Sequence, residues 1–359
     1  MQYIGIDLHS HKFTCNFIQK EANRSYRETY YINPADIRKF LNKVSEQDYV
    51  MLEASTNTFG FVDIIKEKVK EVKVVNPLEI RMIYDSEKKS DKEDAEKLAK
   101  ILRYEIEGGE EITKGVYVPE ERIRKLRSLY TSYKLIKKEI AGLKNRVRSL
   151  EREVGVYEMR EIMGGGGREM IEIIKMQVKV LIGAIERLEE AAKELKERIL
   201  YEGRVYREEI EIMTSIDGIS VFTAIGIKAD YGDINRFKNG KKFCSYLRSV
   251  PKVDGSGERV YIGKTKKRGR RLSITLLLQG LHHAINKNKM LKKFVERKEG
   301  KGKGKIRMAV ARKIFMAIYY MLKRKEYYRY RDEKLHQRKM AEYDKFLEKY
   351  EKKLDKHFS

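Results

Sequence analysis

Four acidic residues occur in positions where a protein could hold a divalent metal ion. Asp7 and Glu53 each end a short, strand-like apolar segment. Asp91 and Asp94 lie three residues apart at the start of a helix-like segment, so their side chains share one helix face. Mg²⁺ prefers oxygen ligands, and two ions about 3.5–4 Å apart can stabilise the attacking and leaving oxygens of phosphoryl transfer. The pattern predicts a Mg²⁺ site with these four carboxylates as ligands and as catalytic residues.

An ordinary interpretation of the same acids stays open from the residues alone. Asp91 could cap a helix, Asp94 could be a charge on a helix surface, and Glu53 could be a surface residue. For an isolated Asp-x-x-Asp pair this interpretation is favoured. Asp7 and Glu53 fit it less well, because both follow apolar strands, where an uncompensated charge is costly.

A serine between two glycines is the candidate nucleophile. Ser256 lies in the segment Asp254-Gly255-Ser256-Gly257, and flanking glycines let the backbone approach a phosphate closely. A serine hydroxyl attacks poorly unless its proton is removed or the developing charge is stabilised by cations. A Gly-Ser-Gly segment is more often simply a turn, so a catalytic and a structural serine both remain open at this point.

The segment around this serine is strongly basic. Residues 236–271 contain many lysines and arginines, opposed only by Asp254 and Glu258. Such a concentration predicts a surface that contacts nucleic-acid phosphates. If about six of its cations met phosphates, binding would weaken with salt at a log–log slope of roughly −5. The residues expected to contact nucleic acid are Arg259, Lys264, Lys266, Lys267, Arg268, Arg270 and Arg271.

The whole chain carries the same excess of positive charge. Its 359 residues include 79 Lys and Arg against 54 Asp and Glu, a formal net charge of +25. This excess favours an anionic partner, most simply nucleic acid, although a lysine-rich surface of a heat-adapted protein is the alternative. No apolar run of about 18 residues occurs, so no membrane partner is expected. Two distant cysteines, Cys15 and Cys244, indicate a reducing, cytoplasmic setting and no zinc site.

The elements that must position these residues follow from the periodicity of apolar side chains. The first hundred residues alternate strand and helix patterns, which predicts a mixed α/β layer with its strands at the centre. Strands are expected at 3–7, 13–19, 26–32, 49–53 and 72–76, and helices at 34–44, 59–69 and 92–102. Two heptad-patterned segments then flank the glycines at 164–167, which predicts an antiparallel coiled-coil hairpin or a dimerisation arm. Apolar helices are expected at 272–284 and 306–322.

The motifs in this order resemble a known family. YIGIDLH, VMLEAS and SDKEDAEKLA resemble the N-terminal domain of the DEDD transposases of the insertion-sequence-110 family, which includes the Piv and MooV invertases. The segment from IDGIS to KKRGRRL resembles the C-terminal transposase domain of that family. The resemblance covers about residues 1–330, and the order of the motifs is more specific than any one of them.

The resemblance implies a fold, a chemistry and partners. The first domain would have a RuvC-like, ribonuclease-H-type fold, with Asp7, Glu53, Asp91 and Asp94 matching the metal-binding tetrad. Ser256 matches the serine that attacks the scissile phosphate and holds DNA covalently. The partners implied are DNA, a structured noncoding guide RNA called the bridge RNA, and further copies of the chain in a dimer or tetramer.

Together these observations predict an α/β protein of four parts. A RuvC-like domain at 1–115 precedes a coiled-coil hairpin at 116–208, a mostly helical transposase domain at 209–330 and a basic helical tail at 331–359. The predicted function is a transposase or site-specific recombinase that works through a phosphoserine. The alternatives are a RuvC-like junction nuclease that hydrolyses DNA without serine chemistry, and a non-enzymatic architectural protein that binds nucleic acid.

Overall fold

The computed structural model describes residues 1–21, 24–83, 91–256, 259–265, 269–298, 300 and 302–358. Within these ranges the side chains of 81–92, 252–268 and 357–358 are not described. The chain forms two compact units, Met1–Pro119 and Glu120–Ser359.

A five-stranded sheet forms the centre of the first unit. Its strands are β1 (Gln2–Leu8), β2 (Lys12–Gln19), β3 (Ser25–Tyr31), β4 (Tyr49–Glu53) and β5 (Glu71–Val75), in the order β3-β2-β1-β4-β5. β2 is antiparallel to both β1 and β3, whereas β4 is parallel to β1 and β5 is parallel to β4. All five predicted strands are confirmed, each within one residue or so of its predicted ends.

Four helices accompany this sheet: α1 (Pro34–Leu41), α2 (Thr58–Ile65), α3 (Pro77–Ile83) and α4 (Asp91–Gly108). The Asn33 side chain accepts hydrogen bonds from two backbone amides at the start of α1, and Pro34 provides the fixed φ that suits a first helical turn. α1 ends three residues earlier than predicted, and α4 continues six residues further. α3 was not predicted, because seven residues are too few to establish a helical period.

The sheet is buried on both faces. On one face Ile4, Ile6 and Leu52 pack in a core rich in phenylalanine. On the other face Tyr3 and Met51 pack against buried residues of α4. Because successive side chains of a strand point to opposite faces, this division fixes the face to which every residue of β1 and β4 points.

Two long helices begin the second unit. α5 (Glu121–Ile162) and α6 (Arg168–Glu202) pack antiparallel, since Lys125 pairs with Glu202 while Lys144 pairs with Glu189. Their contact is apolar and includes the heptad positions Ile140, Leu143, Val147, Leu181, Ile185, Leu188 and Ala192. The two predicted long helices are therefore present; the finer packing of a coiled coil stays a prediction.

The rest of this unit is mostly helical, as predicted. Its helices are α7 (Arg207–Thr214), α8 (Val221–Tyr231), α9 (Gly240–Tyr246), α10 (Leu272–Lys287), α11 (Lys289–Glu296), α12 (Lys303–Arg324) and α13 (Glu333–Phe358). β6 (Pro251–Ser256) and β7 (Arg259–Thr265) form an antiparallel hairpin between α9 and α10. No helix in the described parts of the chain combines the length and apolar character needed to cross a membrane.

The charged C-terminal segment folds onto the helical core. The Tyr343 hydroxyl donates to the carbonyl of Leu200, and the ammonium of the half-buried Lys339 donates to three carbonyls at the end of α7 and in the loop before α8. His336 is buried and its Nε2 hydrogen-bonds the carbonyl of Glu211. α13 is therefore an integral part of the second unit as well as a basic helix.

Candidate functional site

Asp7 is the penultimate residue of β1, and Glu53 is the last residue of β4, its neighbour in the central sheet. The parallel register pairs Ile6 with Leu52, so Asp7 and Glu53 are the next residues on the two strands. Neighbouring strands are about 4.8 Å apart, which puts these two residues side by side at the carboxyl ends of β1 and β4. The sequence pattern identified both residues, and the register brings them together.

The loops beside these residues are held by short-range hydrogen bonds. After β1, the amide of His9 donates to the carbonyl of Lys12, closing the turn into β2. After β4, the Thr58 hydroxyl donates to the Glu53 carbonyl at 2.8 Å and accepts from the amide of Ser55 at the same distance. Both strand ends are therefore fixed by local turn chemistry, which restricts the positions of the two carboxylates.

Both carboxylates belong to the sheet face that α4 covers. Asp7 alternates in phase with Tyr3 and Gly5, and Glu53 alternates in phase with Met51. A Cβ on Gly5 would lie 2.0 Å from the carbonyl oxygen of Ala95 and 2.4 Å from the amide nitrogen of Ala99. The helix backbone therefore lies directly on β1, two residues before Asp7, and only glycine fits at the crossing.

α4 bears the second acidic pair. Asp94 immediately precedes the residue that touches Gly5, and its carboxylate lies 3.4 Å from the ammonium of Lys97. Asp91 is the first residue of α4, one turn before Asp94, and its side chain lies outside the described part. Among the described side chains, no three His, Cys, Asp or Glu residues form a group that could hold a metal.

The Asp7 carboxylate is mostly shielded from solvent. Its side chain is 20 % exposed, and Oδ2 lies 3.0 Å from Nε2 of His9. Carboxylate oxygens at Asp7 and Glu53, on one face and at adjacent strand ends, are the type of donor that Mg²⁺ binds. The residues present thus fit a hard divalent ion in their chemistry.

Ser256 lies in the second unit, at the end of β6. The register pairs it with Arg259, the first residue of β7, so the serine stands at the turn end of a two-stranded hairpin. The sequence motif suggested an isolated turn; it did not predict the two flanking strands. Gly257 lies outside the described residues.

The predicted phosphate-contacting residues follow the same hairpin. Arg259 and Lys264 belong to β7, with side chains that are not described, and 266–268, which contain Lys266, Lys267 and Arg268, lie outside the described residues. Arg270 and Arg271 precede α10, where Arg271 is exposed and 38 % of the Arg270 side chain is exposed. Arg270 also pairs with Asp230, a fully buried acid.

Sequence reasoning missed Asp230 and Lys339. A usable signal existed for Asp230, since it is the last residue of a mostly apolar helical segment, AIGIKAD. An acid in such a segment is expected to be buried, and a buried charge needs partners. No local signal singles out Lys339 in its lysine-rich helix. Its role depends on carbonyls more than 100 residues away in sequence.

Comparison with known protein families finds two matches in this chain. Residues 4–154 match a family of DEDD type described as "Transposase", and residues 210–296 match "Transposase IS116/IS110/IS902 family". These two ranges include every site residue that the sequence predicted.

Two curated proteins are similar to this chain. The transposase for insertion sequence element IS1111A of Coxiella burnetii is 26 % identical over 267 residues, which cover 68 % of this chain and 70 % of that protein. A probable family 20 transposase of Pseudomonas aeruginosa is 26 % identical over 117 residues, 33 % of this chain and 32 % of that protein. With both family matches in the expected order, the chain belongs to the IS110 family of transposases, enzymes that act on DNA.

Proposed function

We propose that this transposase cuts and rejoins DNA through a covalent phosphoserine at Ser256, assisted by Mg²⁺ bound to Asp7, Glu53, Asp91 and Asp94. The observation that supports the proposal most directly is the register of β1 and β4. It sets two carboxylates side by side on the sheet face covered by α4, the helix that bears the other two.

The proposed chemistry exchanges one phosphoester bond for another. The Ser256 oxygen attacks phosphorus and loses its proton to a base or solvent, the Oγ–P bond forms, and the bond from phosphorus to a deoxyribose oxygen breaks. The leaving deoxyribose oxygen takes up a proton. Rejoining reverses these changes with a deoxyribose hydroxyl from another strand, so no external energy source is required. Bound at the four carboxylates, Mg²⁺ would supply positive charge near the reacting phosphate.

The proposal includes an architecture. The strand order β3-β2-β1-β4-β5, with two antiparallel and two parallel pairings, supports a RuvC-like, ribonuclease-H-type first domain at 1–115. The paired helices α5 and α6 support a coiled-coil hairpin within 116–208. The helical domain at 209–330 would carry the serine, and the tail at 331–359 would extend it.

Nucleic-acid contacts follow from the charge. A net charge of +25 and the basic hairpin support binding of DNA and of a structured noncoding guide RNA. We also propose a homodimer or homotetramer, in which acidic and serine sites of different copies could meet.

Two measurements on the purified protein test these partners. Sequencing of the RNA retained with and without ribonuclease treatment tests the guide RNA, and light scattering tests the oligomeric state. A chain that retains no RNA and cuts DNA as a monomer contradicts this part of the proposal.

The serine is tested by trapping the protein–DNA adduct. Ser256→Ala should abolish the adduct while DNA binding stays within about threefold of the unmodified chain. Ser245→Ala, a half-buried serine on α9, is the matched control and should still form the adduct. An adduct that persists in Ser256→Ala would reject the assigned nucleophile. Continued cutting without any adduct in either protein would instead favour the RuvC-like nuclease.

The acidic site is tested with isosteric neutral variants. Asp7→Asn and Glu53→Gln should each lower DNA cutting by at least about 10²-fold, because oxygen ligands of the metal lose their charge. Asp63→Asn on α2, an acid in a surface ion pair with Lys66, is the control and should cut normally. If both variants bind and process DNA as the unmodified chain does, the carboxylates have no catalytic role.

A further inference from the structure

The β6–β7 hairpin leaves and re-enters the helical core at one place. We call residues 246–249 and 269–273 the hairpin root. The amide of Arg270 donates to the Tyr246 carbonyl at 3.0 Å, and Arg248 Nε donates to the Gly269 carbonyl at 2.7 Å. These two hydrogen bonds directly join the segment that leads into the hairpin and the segment that returns from it.

Glycine is required at one position of the root. Gly269 has φ +98°, and a Cβ there would lie 2.2 Å from the Tyr246 carbonyl oxygen. A backbone atom cannot move away as the end of a flexible side chain can. The segment that leads into the hairpin and the segment that returns from it therefore touch backbone to backbone. A shift of the returning segment is transmitted to the outgoing one.

A buried carboxylate fastens the root to α8. Asp230 has no exposed surface; its Oδ1 accepts from Arg270 Nε at 2.9 Å. Its Oδ2 accepts from the amide of Ser273 at 2.7 Å and from the Ser273 hydroxyl at 2.9 Å. Arg127 of α5 fixes the end of α8 in turn, donating to the carbonyls of Ala229 and Asp230 at 2.7 and 3.0 Å.

This arrangement does more than satisfy a buried charge. A buried ion pair contributes little net stability compared with apolar residues of similar volume, but it fixes geometry through directional hydrogen bonds. Asp230 holds Arg270 by its Nε while 38 % of that side chain stays exposed, so part of the arginine remains open to solvent at the hairpin root. An arginine held in this way is suited to contact a phosphate without first losing conformational freedom.

We propose that Asp230 is a positioning residue that fixes the hairpin root and Arg270, and thereby aims the hairpin that carries Ser256 at the scissile phosphate. The inference rests on the proposed function of Ser256. It assigns the positioning of the nucleophile, on strand β6, to a residue 26 positions earlier in the sequence, on helix α8. Asp230 itself touches no reacting atom.

The test separates aiming from binding. In Asp230→Asn the side chain keeps its shape but loses its charge, so the root should loosen. At saturating DNA the rate of adduct formation should fall about 10- to 100-fold, since a misplacement of about 1 Å can cost 10²-fold. The Kd for DNA should change less than about threefold. The matched control is Glu209→Gln. It neutralises the ion-pair partner of Lys228, which lies on α8 as Asp230 does but away from the hairpin root, and the rate of adduct formation should not change.

Hydrogen exchange at the root gives a readout that does not depend on serine chemistry. The amides of Arg270 and Ser273 should exchange faster in Asp230→Asn, and those of α12 should not. Unchanged exchange at the root, or faster exchange with an unchanged adduct rate, overturns the proposal. If only the nucleophile assignment is wrong, Ser256→Ala retains its adduct while the exchange result still stands. Should Asp230→Asn fail to fold, Ser273→Ala removes one hydrogen bond of the same carboxylate and should slow the adduct about 3- to 10-fold.

Discussion

The backbone of α4 lies directly on β1 at Gly5, two residues before Asp7, and Gly5→Ala tests the importance of this contact. The added Cβ would stand 2.0 Å from the Ala95 carbonyl oxygen, 2.4 Å from the Ala99 amide nitrogen and 2.9 Å from Leu98 Cβ. Ordinary van der Waals contact begins at 3.4 Å, so α4 must retreat from β1 by more than about 1 Å. Two of the obstructing atoms belong to the helix backbone, so no side-chain rotation can relieve the clash.

The size of the effect follows from this displacement. Overpacking of this kind costs about 1–3 kcal/mol of unfolding free energy. A shift of about 1 Å in α4 also displaces Asp94, one of the proposed metal ligands, which should lower DNA cutting by about 10²-fold. Mg²⁺ affinity should fall with it, because the helix that bears two of the four proposed ligands has moved.

Three measurements check this expectation. Urea unfolding reports stability, calorimetric Mg²⁺ titration reports the metal site, and DNA cutting reports activity. Gly60→Ala in α2 is the control, since a Cβ there meets nothing within 4 Å. At such an open helical position alanine should be neutral or stabilise by up to about 1 kcal/mol. If Gly5→Ala is as stable as the unmodified chain and cuts DNA at the same rate, the inferred packing and its link to the acidic site are refuted.

Three further changes test the polar contacts of the fold. Lys339→Met leaves three carbonyls without their donor and should lower the unfolding free energy by about 1–3 kcal/mol; unchanged thermal unfolding would contradict this. For Glu105, burial alone would raise the pKa, but bonds from Lys73 and Thr113 outweigh it and hold the pKa below its ordinary value. Its stabilisation is complete above the ordinary glutamate range and disappears as pH falls through the lowered pKa, so Glu105→Gln should flatten the acid limb of a stability–pH curve. Burial lowers the pKa of His336, so stability should rise with pH from that lowered pKa up to the ordinary histidine value; His336→Gln should remove this rise.

The local sequence determined the elements and the residue types of the candidate site. Alternation of apolar residues over five to eight positions fixes a strand, and a heptad pattern fixes a long helix, because each depends only on near neighbours. The ends of β1 and β4 could therefore be predicted, together with the acids that stand there. The short helix α3 was missed because seven residues are too few to show a helical period. The strands β6 and β7 were missed because a glycine interrupts the apolar pattern of each.

Only the tertiary structure decided which of these residues meet. That β4 lies beside β1, with Leu52 opposite Ile6, depends on a connection that closes across more than 40 residues, and no local period encodes it. The same holds for Asp230 and Arg270, which are 40 residues apart. The chemistry of each side chain is determined by its residue type, but bringing side chains together requires the packing of distant segments. Gly5 contributes to that packing because it has no Cβ, which lets α4 lie directly on β1.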